Sequence, residues 1–178
     1  MNDPVGVVPY DPAWPVMFAS LRDRIAPALG ELAAGIEHVG STAVPGLDAK
    51  PIIDIDVVIR HAGDLPSAAA QLATLGYAQL GDLGVIGREA FRAPADQPRH
   101  HLYVCAAGAP ALQAHLILRD ALRDDPELAL QYGELKRALA ERYRDDRDAY
   151  TEGKSAFVAA VLRRERARDK RSLRRGPG

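Results

Sequence analysis

Between Ile52 and Ile59 the chain reads Ile-Ile-Asp-Ile-Asp-Val-Val-Ile, and no other stretch limits the possible folds as tightly. The run is β-branched almost throughout, so it reads as a buried strand. Two aspartates inside it conflict with that burial, because a carboxylate buried without a partner costs several kcal/mol. On a strand, residues i and i+2 point to the same face, so Asp54 and Asp56 project together. Two adjacent carboxylates repel unless a cation lies between them, and oxygen ligands on a rigid strand suit Mg²⁺ (or Mn²⁺).

The residues upstream extend this reading. A short apolar run ends at Gly40-Ser41-Thr42, and a turn-rich loop (Pro45-Gly46, Asp48, Lys50-Pro51) leads back to the aspartates. A small residue pair at a strand end lets backbone N–H groups approach a phosphate, and the serine hydroxyl adds a donor. Lys50 is placed either to neutralise a phosphate or to pair with Asp48. A phosphate cradle followed by an Asp-x-Asp metal clamp is what nucleotidyl transfer needs, since the metals neutralise charge on the triphosphate. The pattern resembles the Gly-Ser…Asp-x-Asp signature of the polymerase-β-like nucleotidyltransferase superfamily. The same residues also read as a plain strand end with two rim aspartates.

Composition narrows the field of functions. A length of 178 residues suits one domain with a real core. The net charge of −1 supplies no basic field, which argues against a nucleic-acid partner. A lone cysteine, Cys105, excludes an intrachain disulfide and a cysteine-built zinc site. No apolar run reaches the roughly 18 residues of a membrane span and no signal-peptide pattern opens the chain, so a cytoplasmic protein is expected.

In chain order, Val5–Val8 reads as a short strand and Asp11-Pro12 as a helix start. Trp14, Met17, Phe18, Leu21, Ile25 and Leu29 recur at helical spacing up to Gly30. A helix is expected over 64–76, capped by Asp64 or Ser67, with extended segments near 77–80 and 87–92. His100–Cys105 alternates as a strand. Three helices follow, over 111–123, 127–143 and 146 to about 168. The expected class is α+β in one domain over 1–165, with a mixed core to residue 107 and C-terminal helices over 108–165. The basic run over 166–178 is expected to form a flexible tail, a solvated and fraying helix end; contact with an acidic partner or RNA is the other reading.

Six ordered blocks identify the chain as a member of the GrpB (UPF0157) family, relatives of which occur alone or fused behind dephospho-CoA kinase. They are VVPYDPAWPVMF, HVGSTAVPGLDAKPIIDIDVVI, GREAFRAP, PRHHLYV, LRDALRDDPELALQYGELKRALAERY and DAYTEGKSAFVAAVL. The resemblance implies a nucleotidyltransferase-like mixed β-sheet core with flanking helices and a C-terminal helical segment. Asp54 and Asp56 are both present, whereas some members keep only the first. The superfamily's third carboxylate has no counterpart, and the strand in its place carries His100-His101-Leu102-Tyr103. Many relatives have a histidine where Tyr103 stands.

His101 shares a strand face with Tyr103, and a neutral imidazole there would accept a hydroxyl proton or ligate a metal. Two histidines hydrogen-bonded at a strand edge is the competing reading. Only four of the 23 basic residues are lysines, and Lys50, Lys136 and Lys154 all fall in the blocks above. Tyr132 and Lys136 are one helical turn apart, as are Tyr150 and Lys154. Either pair would hold a base, phosphate or carboxylate, or would be a half-buried tyrosine with a snorkelling lysine. Arg88 and Arg92 share a face and would fork onto phosphates. Arg119, Asp120 and Arg123 read as local ion pairs, a catalytic role being the other reading.

The expected catalytic set is therefore Asp54, Asp56 and His101, with the aspartates holding the metal. Gly40, Ser41, Thr42, Lys50, Arg88 and Arg92 are the phosphate-binding candidates. His100, Tyr103, Tyr132, Lys136, Tyr150 and Lys154 are the acceptor-binding ones. The expected function is metal-dependent transfer from an NTP to a small acceptor. A ligase or phosphotransferase in the same pocket, and a non-catalytic nucleotide- or CoA-binding or folding accessory module, are the alternatives.

Overall fold

A computed structural model of the chain describes residues 6–175, with side chains as far as Arg171. Strand β2 (Ile53–Ile59) lies between β1 (Ala33–Val39), which runs antiparallel to it, and β5 (His100–Ala106), which runs parallel. Strands β4 (Arg88–Arg92) and β3 (Ala78–Gly81) extend the sheet antiparallel beyond β5, giving the order β1-β2-β5-β4-β3.

Alternation along β2 divides the molecule into two layers. Ile53, Ile55, Val57 and Ile59 are at most 2% exposed, and they pack under helices α1 (Ala13–Leu29) and α2 (Leu65–Thr74). Trp14, Leu21, Ile25, Leu29, Ala68 and Leu72 supply the helical side of that core, and Leu102 and Val104 of β5 continue it. Each such aliphatic side chain contributes roughly 1.5–3 kcal/mol on burial, which is what tolerates two acids on the opposite face. That opposite face is met by α3 (Pro110–Asp124), and α4 (Pro126–Arg142), α5 (Arg147–Glu152) and α6 (Ser155–Arg175) complete this side. A second apolar cluster joins Val44 and Leu47 to Leu122, Leu128, Tyr132 and Val161.

Several local expectations hold and others shift. Asp11 accepts from the Ala13 amide at 2.8 Å at the start of α1, and Gly30 follows its last residue. Val8 forms one isolated antiparallel bridge with Ala49 in place of a strand, and Val5 lies outside the described residues. Asp64 precedes α2, but its carboxylate accepts from the amide of His61, and Ser67 lies too far inside the helix to cap it. The single helix expected over 146–168 is two, α5 and α6, parted at Gly153-Lys154. Gly153 sits tight against α4: a Cβ there would come within 3.0 Å of Leu139 Cδ1 and 3.3 Å of the Ala149 carbonyl. The basic run continues α6 as helix through Arg175. Among the described residues no helix is long and apolar enough to cross a membrane.

Candidate functional site

The acidic face of β2 opens into a cavity of about 540 Å³. Parallel pairing sets Asp54 beside His101 and Asp56 beside Tyr103. Asp54 lines the cavity, and its Oδ1 accepts from His101 Nδ1 at 2.8 Å. That bond fixes the ring and leaves Nε2 toward Arg147, 3.5 Å away. The other oxygen of Asp54 rests against Gly40, whose φ of +70° turns the end of β1 past the carboxylate.

Asp56 is placed differently from its neighbour. It is 0% exposed and does not line the cavity. Its Oδ2 accepts from His115 Nδ1 on α3 at 2.7 Å, while its Oδ1 is buried without a partner. Around Asp54 the cavity gathers Lys50, Arg88, Lys136, Arg147 and Lys154, against only one further carboxylate, Asp148. Lys50 and Lys154 place their ammonium groups 4.1 and 4.4 Å from the Tyr150 ring, and Arg88 lies 4.3 Å from the Tyr103 ring. Crowded cations in a partly desolvated pocket cannot all hold protons cheaply. Burial, with Lys154 and Arg147 next in weight, brings Lys50 down to about 8. Burial and Lys154 bring Lys136 down to about 7, although Asp48 opposes this and accepts the Lys136 ammonium through its backbone carbonyl. Burial also lowers Lys154, opposed by Asp54, and raises Tyr150 to about 12. Such a pocket favours an anionic ligand, which would restore the missing negative charge.

The structure thus brings together Ser41, Thr42, Lys50, Asp54, Arg88, His101, Tyr103, Lys136, Tyr150 and Lys154. Five expected residues fall elsewhere, the first being Asp56, buried behind the cavity as described above. Gly40 meets Asp54. Arg92 is exposed in an adjoining depression that shares Ile52, His101 and Arg147 with the cavity, at the opposite end of β4 from Arg88. His100 points to the α2 side, where Nδ1 donates to the Pro98 carbonyl at 2.6 Å and Nε2 accepts from Tyr77 at 2.7 Å. Tyr132 is buried and stacked on Phe157 at 4.9 Å, behind Lys136. Thr42 reaches the cavity wall, but its hydroxyl meets His38 Nε2 at 3.0 Å and the Ile52 carbonyl at 3.4 Å. Burial, assisted by Arg123, keeps that His38 neutral by pulling it down to about 4.

Sequence reasoning missed His115 and Arg147; it read the Arg119–Asp120 pair correctly but not the longer-range partners of Arg119 and Arg123. Arg119 does bond Asp120, but it also reaches Glu37 at 2.7 Å, and Arg123 donates to the Ala43 carbonyl at 2.9 Å. His115, Arg119 and Arg123 recur at i, i+4 and i+8, a polar stripe on one face of α3. That spacing was the available signal that this face docks on something acidic.

The chain belongs to the GrpB family: the family model described as GrpB protein matches residues 4–164. It is 45% identical over 169 residues to a UPF0157 protein of Pseudomonas aeruginosa, covering 92% of this chain and 68% of the relative. A dephospho-CoA kinase of Mycolicibacterium paratuberculosis is 28% identical over 186 residues, where this chain covers 46% of the relative. Among solved structures, GrpB from Enterococcus faecalis superposes with a TM-score of 0.80 at 32% identity, covering 89% of this chain and 96% of that one. The Cid1 poly(U) polymerase bound to MgGTP aligns with a TM-score of 0.55 at 14% identity, over 76% of this chain and 45% of that one. The fold is therefore nucleotidyltransferase-like.

Proposed function

We propose that this protein is a metal-dependent nucleotidyltransferase-like enzyme that binds an NTP in the Asp54 cavity and acts on a small acceptor. The observation that carries the reading is the pairing of a cavity-lining carboxylate with five cations, Lys50, Arg88, Lys136, Arg147 and Lys154, in a nucleotidyltransferase-like fold. The cations match a polyphosphate, and Tyr103 and Tyr150 hold Arg88 and the lysines in place through their ring faces.

The donor set also fits a divalent cation. Mg²⁺ is usually held by one or two carboxylates, with substrate phosphates and water completing its shell, so Asp54 and Asp56 would be sufficient protein ligands. The orphaned Oδ1 of Asp56 is the kind of buried oxygen that a cation satisfies. Bound there, the metal supplies charge neutralisation on the triphosphate. His101, oriented by Asp54, is the group placed to take a proton at Nε2. Lys50 and Lys154 hold and orient anionic oxygens, and Ser41 adds a hydroxyl at the cavity wall.

Calorimetric titration of the four NTPs tests this. Affinity should require Mg²⁺ or Mn²⁺ and fall at least tenfold in Asp54→Asn. Equal affinity in excess EDTA would remove the metal from the account. One observation fits a non-catalytic binding module equally: the cavity gathers five basic side chains against two lining carboxylates, a balance that holds an anion without a metal. That reading predicts binding of an anionic ligand with no turnover and no metal requirement.

A further inference from the structure

The two carboxylates of β2 sit on one strand face but in unlike surroundings. Asp54 is 28% exposed at its side chain and lines the cavity, whereas Asp56 is fully buried. A lone buried carboxylate with one partner would be costly, and in this fold its whole hydrogen-bonded support comes from a single imidazole, His115. The donor is Nδ1–H, so the ring is held in one orientation with Nε2 on its far edge. The helix that carries it is itself tied to the sheet. One turn on, Arg119 bonds Glu37 at 2.7 Å and the His38 carbonyl at 3.1 Å, and Glu37 is the strand partner of Asp56. A turn later Arg123 reaches the Ala43 carbonyl. The stripe thus places His115 over Asp56 through anchors that do not touch the cavity.

We propose that His115 is a positioning residue: it occupies Oδ2 of Asp56 and so fixes the buried carboxylate with Oδ1 free as the second protein oxygen for a divalent cation. The inference rests on the metal-binding reading of the same site. It explains why the one buried oxygen of this carboxylate that lacks a protein partner is tolerated, and why a histidine that lies behind Tyr103, outside the cavity lining, sits where it does. It also separates the two Asp–His pairs by role. His101 lines the cavity and presents Nε2 to it, whereas His115 acts only through Asp56. Groups that orient metal ligands typically change metal affinity 10–100-fold when removed.

Mn²⁺ binding, followed by electron paramagnetic resonance with and without a non-hydrolysable NTP analogue, tests the assignment independently of turnover. His115→Asn keeps an N–H donor near the Nδ1 position, His115→Gln moves it one bond further out, and His115→Leu removes it. The expected result is Mn²⁺ affinity within about threefold of wild type for Asn, with a loss of about 10–100-fold for Gln and Leu. Thermal melts accompany each variant, and if Leu does not fold, the Asn–Gln comparison carries the test. Wild-type affinity in Leu, or equal affinity in Asn and Gln, overturns the inference while leaving the metal site intact. A wild-type protein that binds no Mn²⁺ under any condition overturns the metal reading and this inference with it.

Discussion

Gly40 ties the conformation of one residue to the placement of the site. A Cβ at this position would fall on Asp54 Oδ2 and within 2.9 Å of its Cγ, and the φ of +70° already disfavours any L side chain. Gly40→Ala should therefore displace the Asp54 carboxylate. Backbone strain alone costs roughly 1–3 kcal/mol; melting temperature should fall, and metal-dependent NTP affinity should fall more than tenfold. A variant with wild-type affinity would mean that Asp54 is free to move without consequence. The sequence marked Gly40 as a place of close approach, but assigned the approach to phosphate. The neighbour is a carboxylate because Val39 pairs with Asp54, a register set by residues far apart in the chain. In the same way the alternation of β2 was legible and put both aspartates on one face. The difference in their burial was not, because it depends on where α3 lands.

At the scale of elements, the short α5 and the Gly153-Lys154 turn give the cavity Arg147, Asp148, Tyr150, Thr151 and Lys154. Helical spacing predicted that Tyr150 and Lys154 would share a face, and they do lie together at 4.4 Å. Periodicity could not show that the helix breaks at Gly153, because the break is set by contact with Leu139 of α4. Nor could it show that Lys50, from a loop a hundred residues earlier, reaches the same ring. This convergence has a consequence for pH. Lys50 and Lys136 have folded-state values of about 8 and about 7, below the ordinary lysine value of 10.5. The unfolded chain therefore holds more protons than the folded one between those limits, and the ligand-free protein should gain stability as pH rises from about 7 towards 10. Anion binding should behave oppositely. A triphosphate favours the charged amines, so at pH 8 binding should take up protons and weaken as pH rises. Titrations at pH 8 in buffers of different ionisation enthalpy measure the uptake directly. Lys136→Met should remove part of that uptake, raise the melting temperature of the ligand-free protein, and lower NTP affinity about tenfold or more, as loss of a charge-assisted hydrogen bond does. Proton release on binding would contradict this electrostatic account.

For the whole molecule, the site depends on one feature of topology. The parallel pairing of β2 with β5, with α2 and the β3–β4 hairpin between them in sequence, sets His101 and Tyr103 beside Asp54 and Asp56. The alternation of β2 and β5 was readable from the sequence, as was the α+β class, whereas the strand expected over Val5–Val8 is only a single bridge at Val8. Strand order was not read from the residues, since it is decided by which apolar faces α1 and α2 cover. The C-terminal helices then close the acidic face and supply most of the cations. If this closure builds a metal–nucleotide site on Asp54, crystals grown with Mn²⁺ and a non-hydrolysable NTP analogue should show an anomalous Mn²⁺ peak at coordination distance, roughly 2.0–2.2 Å, from Asp54, with triphosphate oxygens on Lys50 and Lys154. A well-ordered nucleotide bound away from Asp54, or bound in the cavity with no Mn²⁺ on Asp54 at saturating metal, would contradict it.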